Sequence, residues 1–167
     1  KPGIETLKGV PGRWQLVWDR DDIRAIVDFA HTPDALERLL RTARNLTDGQ
    51  IICMFGCGGE RDTDKRFKMG EIAGRYSDYV IVTSDNPRGE DPEDITARIE
   101  EGVYSAGAAY SVIPDRKKAI RKAAVLARKN TLIIVAGKGH EKYQIIGVRK
   151  LPFDDARILK EFLEEKN

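Results

Sequence analysis

The sequence predicts an α/β fold, Rossmann-like in the broad sense, in which a mainly parallel sheet carries helices on both faces. Short apolar runs alternate with amphipathic helical patterns along the chain, and the runs at 51–55 and 131–136 are almost entirely apolar. Strands of a parallel sheet are buried on both faces and therefore form continuous apolar runs. Their alternation with helices is typical of a sheet that is covered on both sides.

The first half of the chain begins with two predicted strands, 13–18 and 23–30, which a turn over the polar residues 19–22 joins. Thr32 and Pro33 then begin a helix, in which apolar residues recur at helical spacing. The remaining predicted elements of this half are a strand at 51–55, a glycine-rich loop and a helix at about 65–76.

In the second half, polar residues or proline mark where each predicted helix begins. Pro92 opens a helix that ends near 104, Asp115 caps the next one, and Asp154 or Asp155 caps the last, which ends near 165. The predicted strands of this half lie at 79–83, 110–113 and 131–136, and a C-terminal hairpin is predicted from 143–148 and Leu151.

Composition and charge exclude several classes of protein. A chain of 167 residues, with 41% hydrophobic and 34% charged residues, fits one ordinary globular domain. The 29 basic and 27 acidic residues nearly cancel and are interspersed, so we expect no nucleic-acid partner and no membrane surface. Cys53 and Cys57 have too few potential ligands nearby for a metal site. We interpret them as the reduced thiols of a cytoplasmic protein.

Polar clusters follow directly on four of the predicted strands. Ligands of parallel α/β sheets bind at the carboxyl ends of the strands, so we expect these clusters to form a single site. They are Asp28-Phe29-Ala30-His31, Gly56-Cys57-Gly58-Gly59-Glu60-Arg61-Asp62, Asp85-Asn86-Pro87-Arg88 and Gly137-Lys138-Gly139-His140-Glu141.

Each cluster taken alone has a simpler interpretation. The segment 56–59 lacks the Gly-Lys-Ser/Thr ending of a P-loop, and Arg61 stands where a G-x-G-x-x-G pattern requires glycine. An Asn-Pro pair commonly starts a turn, and an isolated histidine before Thr32-Pro33 is more often a local partner of the helix start. The prediction of a site therefore depends on their convergence.

Together these segments resemble the C-terminal domain of the Mur ligases, over nearly the whole chain from Val10 onward. The Asp-Asn-Pro-Arg stretch is the mark of the family members that add diaminopimelate. Phe29, where the family commonly has tyrosine, and Phe67-Lys68, where Pro-Leu is frequent, are small departures. The matching segments are Val10-Pro11-Gly12-Arg13, Asp28 to Leu36, Phe55 to Asp62, Lys65-Arg66, Asp85 to Arg88, and Ala136 to Glu141.

The resemblance implies an ATP-dependent ligase that adds meso-diaminopimelate to UDP-MurNAc-L-Ala-D-Glu in peptidoglycan synthesis, through an acyl phosphate. We expect residues 1–9 to be a linker from a central ATPase domain and residues 10–167 to be the C-terminal domain. The opening Lys1-Pro2-Gly3, without methionine, indicates a segment of something longer. ATP and Mg²⁺ would be bound mainly by the central domain, so we expect the isolated chain to be inactive.

For the nucleotide, the resemblance implies three contacts from this chain. Arg13 matches an arginine that reaches the ATP phosphates, and a guanidinium suits that role. Asp28 matches a carboxylate on the ribose hydroxyls, and His31 is expected near the phosphates as a donor.

For diaminopimelate, the resemblance implies donors for a carboxylate and acceptors for an ammonium group. The first are Arg66, Arg88 and Asn86, and the second are Glu141 and the backbone of Gly137. Asp85 is expected to orient the Asp-Asn-Pro-Arg loop, which contains Pro87. Lys138 is left without a role, and His140 is open between a structural role and a ligand role.

Two alternatives stay open beside this interpretation. A non-catalytic nucleotide-binding module would use the same loops but would not need Arg66, Arg88 and Glu141. A folylpolyglutamate synthase of the same superfamily would not explain the Asp-Asn-Pro-Arg stretch. The sequence also leaves open a close diaminopimelate analogue, such as lanthionine, as the substrate.

Overall fold

A computed structural model describes residues 12–166 of the chain, and the predicted linker at 1–9 lies outside the described residues. Helices and strands alternate through most of this range. The strands are β1 (Gln15–Arg20), β2 (Ile23–Asp28), β3 (Gln50–Phe55), β4 (Tyr79–Val82), β5 (Ala109–Val112), β6 (Thr131–Ala136), β7 (Tyr143–Ile146) and β8 (Arg149–Pro152). The helices are α1 (Pro33–Leu46), α2 (Asp64–Tyr76), α3 (Pro92–Ser105), α4 (Arg116–Leu126) and α5 (Asp155–Lys166).

Six of the strands form one sheet in the order β1-β2-β6-β3-β4-β5. The pairs β2–β6, β6–β3, β3–β4 and β4–β5 are parallel, and only β1 is antiparallel to its neighbour. Strands β7 and β8 form a separate antiparallel hairpin. The predicted mainly parallel sheet and C-terminal hairpin are therefore confirmed.

The sheet has a hydrophobic core on each face. All six residues of the central strand β6 are buried, as its continuous apolar run predicted. Leu132 and Ile134 pack into the core beneath α1, α2 and α3, whereas Ile133 and Val135 pack into the core beneath α4 and α5. Side chains alternate between the two faces of a strand, so one apolar run supplies both cores. None of the helices within 12–166 is both long and apolar enough to span a bilayer.

The predicted helix starts agree with the structure. Thr32 caps α1, with its hydroxyl accepting from the Ala35 amide at 3.3 Å, and Asp115 caps α4 by accepting from the Lys118 amide at 2.9 Å. At α5 the capping carboxylate is that of Asp154, which accepts from the Arg157 amide. Side-chain acceptors at these positions satisfy amide groups that have no partner within the helix.

The predicted bounds of the first two strands were wrong by two residues. Strand β1 runs to Arg20, because Asp21 and Asp22 form a two-residue turn with φ of 56° and 58°. Two consecutive residues in the left-handed region give a hairpin turn whose twist matches that of the strands, so the ladder extends to the turn. Strand β2 ends at Asp28 because the Asp28 carboxylate accepts from the Ala30 amide and turns the chain.

An ion pair in the interior joins the second core to the carboxyl edge of the sheet. Arg116, the first residue of α4, binds Asp155 through two hydrogen bonds of 2.8 and 2.6 Å, and both side chains are fully buried. The guanidinium also donates to the carbonyl oxygens of Ser84 and Ala136. Burial opposes its charge, but the charge and hydrogen bonds of Asp155 outweigh burial and raise the pKa of Arg116 above its ordinary value. The cation therefore ties the ends of β4 and β6 to α5.

We predict that Arg116→Met lowers the free energy of unfolding by about 3–5 kcal/mol, because it leaves the Asp155 carboxylate buried without a partner. Arg157→Met is a matched control, since Arg157 forms an ion pair with Glu161 and its side chain is 66% exposed. That control should lose less than about 1 kcal/mol. Guanidinium unfolding of the 167-residue chain, followed by circular dichroism, measures both. Equal losses in the two variants would contradict the prediction.

Candidate functional site

A cleft of about 460 Å³ lies at the carboxyl edge of the parallel sheet. Its walls come from the loops that follow β2, β3, β4 and β6, so the predicted convergence of the four polar clusters is confirmed in position. The predicted site residues that line it are His31, Asp85, Asn86, Arg88, Gly137 and Glu141.

A smaller pocket of about 280 Å³ adjoins this cleft and is lined by Arg13, Asp28 and His31, the three residues predicted for the nucleotide. His31 and Phe29 line both cavities, and their rings lie 4.5 Å apart. The two predicted sites therefore share a wall. A ligand in the pocket and a ligand in the cleft would lie side by side.

Asp28 has a structural role within this pocket. One carboxylate oxygen accepts from the Trp14 amide at 2.7 Å and the other accepts from the Ala30 amide at 2.8 Å. These bonds hold the segment before β1, which includes the lining residue Arg13, against the end of β2. Sequence reasoning missed this role because Trp14 lies 14 residues away from Asp28.

A fully buried ammonium group lies behind the residues that line the cleft. The Lys138 Nζ atom donates to Asp85 Oδ1 at 3.0 Å, to Asn86 Oδ1 at 2.9 Å and to Glu141 Oε2 at 3.3 Å. Asn86 Nδ2 also donates to Glu141 Oε2 at 3.3 Å and closes the cluster. Burying a charge is costly unless it is paired and hydrogen-bonded, and here every proton of the ammonium has an acceptor. Lys138, left without a role by the sequence, thus organises three predicted site residues.

The Asp-Asn-Pro-Arg loop is held by the C-terminal hairpin. Gln144 Nε2 donates to the Asp85 carbonyl oxygen at 2.7 Å, and the Ile145 amide donates to Asn86 Oδ1 at 2.9 Å. Arg88 exchanges backbone hydrogen bonds with the Ile145 carbonyl and the Gly147 amide. Arg88 has a φ of 53°, which is unfavourable for a non-glycine residue and persists only where neighbouring contacts impose it. The hairpin therefore fixes the backbone that carries the predicted substrate contacts.

The cationic side chains at the cleft differ in their partners. Arg88 lines the cleft and donates from Nη1 to the Gly59 carbonyl at 2.8 Å, and exposed Arg61 lines it from the glycine-rich loop. Arg66 is buried, pairs with Glu90 at 2.9 Å and is absent from the residues that line the cleft. Glu90 and the Gly58 carbonyl bind its two Nη atoms, which holds the guanidinium behind the surface, while its buried Nε atom has no hydrogen-bond partner. Arg61 belongs to a predicted cluster, but the sequence analysis gave it no role of its own.

Glu90 connects Arg66 to the glycine-rich loop. Its carboxylate pairs with the Arg66 guanidinium and accepts a hydrogen bond from the Glu60 amide. The hydrogen bond from Arg66, followed by that from Glu60, holds the pKa of Glu90 below its ordinary value. Pro87, which the sequence predicted as a substrate contact, is buried and lines a different pocket with Ser84, not the cleft.

The two cysteines are buried free thiols, and Cys57 lies at the cleft wall. Burial is the main cause that raises the pKa of each thiol to about 12, so both are neutral at physiological pH. Within residues 12–166 no three histidine, cysteine or carboxylate side chains are grouped to hold a metal ion.

A domain with a polar cleft at the carboxyl edge of a parallel sheet belongs to the class of α/β domains that bind small molecules. The family model described as "Mur ligase, glutamate ligase domain" matches residues 12–139. This chain belongs to that family.

Individual proteins of this family are more similar to the chain than the family model alone indicates. The chain is 50% identical over 164 residues to the UDP-N-acetylmuramoyl-L-alanyl-D-glutamate–2,6-diaminopimelate ligase of Syntrophomonas wolfei. The matched region is 98% of this chain and 34% of that relative. A solved structure of a ligase of the same name is 41% identical, has a TM-score of 0.87 and matches 95% of this chain and 32% of that one. The chain thus spans about a third of the length of these relatives.

A more distant structure shares the fold alone. The bifunctional folylpolyglutamate synthase/dihydrofolate synthase of Yersinia pestis has a TM-score of 0.62 at 21% identity, over 80% of this chain and 30% of that one. The architecture by itself therefore does not separate the two kinds of ligase.

We predict different effects of alanine at two neighbouring glycines of the glycine-rich loop. A Cβ at Gly59 would lie 1.9 Å from the Pro87 carbonyl oxygen, so Gly59→Ala should lower the free energy of unfolding by about 1–3 kcal/mol. A Cβ at Gly58 would lie 3.0 Å from Arg88 Nη1, the end of a flexible side chain. Gly58→Ala should stay within about 0.5 kcal/mol and displace only that guanidinium. Thermal and chemical unfolding of both variants measure the difference, and a larger loss for Gly58→Ala would be contrary to this geometry.

Proposed function

We propose that this chain is the amino-acid-binding C-terminal domain of an ATP-dependent ligase that adds meso-diaminopimelate to UDP-MurNAc-L-Ala-D-Glu in peptidoglycan synthesis. The observation that carries the proposal is the charge arrangement of the cleft. The carboxylates of Asp85 and Glu141 lie among its lining residues together with the guanidinium groups of Arg61 and Arg88. Diaminopimelate has ammonium and carboxylate groups at both ends, so it is complementary to a cleft that offers both charges.

In this proposal the acidic side of the cleft holds an ammonium group. Lys138 uses one oxygen of each carboxylate, Asp85 Oδ1 and Glu141 Oε2. Asp85 Oδ2 and Glu141 Oε1 take no part in that cluster, and an ammonium group needs such acceptors together with a carbonyl, for which we propose Gly137. Asn86 acts mainly as a positioning residue, since its oxygen already accepts from Lys138 and from the Ile145 amide.

The basic side holds the distal carboxylate. Arg88 keeps its Nη2 and Nε donors available after Nη1 binds the Gly59 and Asn86 carbonyl oxygens. Arg61 takes the direct role that the sequence predicted for Arg66, because Arg61 lines the cleft and Arg66 does not. Arg66 supports the loop that carries Arg61 through the Gly58 carbonyl and through Glu90.

The nucleotide contacts in this proposal come from the adjoining pocket. Arg13 provides a guanidinium for phosphate oxygens, His31 a second donor, and Asp28 an acceptor for ribose hydroxyls. Bound ATP supplies the phosphoryl group that activates the acceptor carboxylate. The residues at 12–166 include no grouped set of ligands for Mg²⁺, so we propose that the metal is bound mainly by a part of the ligase outside them.

Two alternatives account for less of this cleft. A nucleotide-binding module uses the smaller pocket but gives no reason for a buried lysine that organises Asp85 and Glu141. A folylpolyglutamate synthase shares the fold but gives no reason for the Asp-Asn-Pro-Arg loop. The buried free thiols of Cys53 and Cys57 support the cytoplasmic location that forms part of the proposal.

We predict that Arg88→Ala, in the full-length ligase that contains this chain, lowers kcat/KM for diaminopimelate by about 100-fold or more, because charge-assisted hydrogen bonds are lost. The wild-type enzyme should prefer diaminopimelate to lysine by about 10⁴, since lysine lacks the distal carboxylate and leaves the guanidinium groups unpaired. The variant should use lysine nearly as well as wild type does, and its KM for ATP should change little.

Arg98→Ala is the matched control for this substitution, since Arg98 is an exposed arginine of α3 that pairs with Glu101 away from the cleft. Kinetics with both amino acids in all three proteins provide the measurement. If the preference of Arg88→Ala stays within about threefold of wild type, then this loop does not select the amino acid, and the substrate proposal fails.

We predict that Arg13→Ala in the same ligase raises the KM for ATP by about 10-fold and leaves the KM for diaminopimelate unchanged, because Arg13 lines the smaller pocket only. Arg20→Ala is the control, since exposed Arg20 lies over the Trp18 ring at 5.3 Å and away from that pocket. A rise of equal size in both KM values would show that Arg13 does not discriminate between the two sites.

A further inference from the structure

We propose that Lys138 is a positioning residue for the amino acid, whose buried charge keeps Asp85 and Glu141 ionised together so that both can face one ammonium group. This inference rests on the proposed function for the identity of the ligand, and on the structure for the cluster itself. Lys138 does not line the cleft, whereas both carboxylates do.

The geometry makes Lys138 the only side-chain cation within the cluster, among the described residues. Its Nζ atom is within 3.3 Å of both carboxylates, which come from the separate loops after β4 and β6. Its other contact is the Tyr143 ring, with the centroid at 5.8 Å. The three donor positions are all occupied, so the ammonium has no proton left to give to a ligand.

The surroundings offer no substitute for this charge. Arg116 is near enough for Asp85 and Glu141 to affect its pKa, but its donors go to Asp155 and to the carbonyl oxygens of Ser84 and Ala136. Arg88 donates to the backbone carbonyl oxygens of Gly59 and Asn86. The titratable and charged groups around Lys138 are Asp85, Glu141, Tyr143, Arg116, Asp155 and Cys57, with His31, Arg61, Asp62, Lys65 and Arg88 at the cleft wall and Lys150 over the Tyr143 ring.

Removing the charge should therefore make the two carboxylates share a proton. Two carboxylates in one poorly solvated site cannot both ionise easily, so we expect the pKa of one of them to rise in a variant without the cation. Lys138→Met keeps most of the length and volume of the side chain. The hydrogen bonds from Asn86 Nδ2 to Glu141 and from the Ile145 amide to Asn86 do not involve Lys138, so the backbone frame has independent support.

The first test measures the stability of the 167-residue chain between pH 5 and pH 9. The shared carboxyl group of Lys138→Met has a folded-state pKa above its unfolded value, so its contribution to stability is present at low pH and is lost as pH rises. We expect the thermal midpoint of this variant to fall below that of wild type by several degrees more at pH 8 than at pH 5. Lys142→Met removes an exposed cation of the same loop and should show a small, pH-independent change.

A double variant distinguishes the effect of two unpaired carboxylates from a general failure of Lys138→Met to fold. Lys138→Met/Glu141→Gln has one carboxylate instead of two, so it should recover stability at pH 8 relative to Lys138→Met and should lose the pH dependence. The proposal is overturned if Lys138→Met loses the same stability at pH 5 and pH 8. It is also overturned if the double variant is no more stable at pH 8 than the single variant.

The second test uses the full-length ligase. Lys138→Met should raise the KM for diaminopimelate by about 10-fold or more over wild type at pH 7. The ratio of the variant's KM to the wild-type KM should fall toward pH 9, because the carboxyl group ionises there. The KM for ATP should stay within about threefold. A loss that is the same at every pH would indicate packing alone and would overturn the positioning role.

The two proposals fail in different ways. If wild-type ligase does not use diaminopimelate, the proposed function fails, while the stability test of the isolated chain still decides whether Lys138 keeps both carboxylates ionised. Suppose instead that wild type uses diaminopimelate, and that neither the stability nor the KM of Lys138→Met depends on pH as expected. Only the proposed role of Lys138 then fails.

Discussion

The buried ammonium of Lys138 is the interaction on which the floor of the cleft depends. A fully desolvated charge requires acceptors on all its protons, and here they come from Asp85, Asn86 and Glu141 in two loops that are far apart in sequence. Because Asn86 also accepts from the Ile145 amide, the same interaction extends to the C-terminal hairpin. The cation thus joins two loops, and the hairpin adds its own hydrogen bonds to Asp85, Asn86 and Arg88.

The arginines around the cleft divide by burial into supports and candidate ligand contacts. Arg116 and Arg66 are buried against Asp155 and Glu90, and each also donates to backbone carbonyl oxygens at the carboxyl edge of the sheet. Arg61 and Arg88 reach the cleft. A guanidinium whose charge is paired with a carboxylate of the protein stabilises a loop, while one without such a partner remains available to an anionic ligand.

In the proposed function, the two adjoining cavities would hold the nucleotide and the amino acid next to each other. The smaller pocket and the larger cleft share His31 and Phe29, so a nucleotide phosphate and the amine of an amino acid would approach each other at this wall. Bringing two reactants together in a fixed orientation is a large part of catalysis in ligases of this kind. The chain spans about a third of the length of its relatives, which agrees with a site that is completed by other parts of the ligase.

The sequence by itself determined the order of strands and helices along the chain and the residues that cap the helices. It also determined the family and the edge of the sheet at which the polar clusters meet. Those properties depend on local patterns, such as the apolar run at 131–136 and the caps at Thr32 and Asp115, which adjacent residues specify. Only the tertiary structure decided that Arg66 is a support and Arg61 a lining residue, and that Lys138 has a role at all. The partners that decide these roles are distant in sequence: Glu90 lies 24 residues from Arg66, and Asp85 lies 53 residues from Lys138. Whether a charged side chain faces a ligand depends on whether folding brings it a buried partner, and no local pattern contains that information.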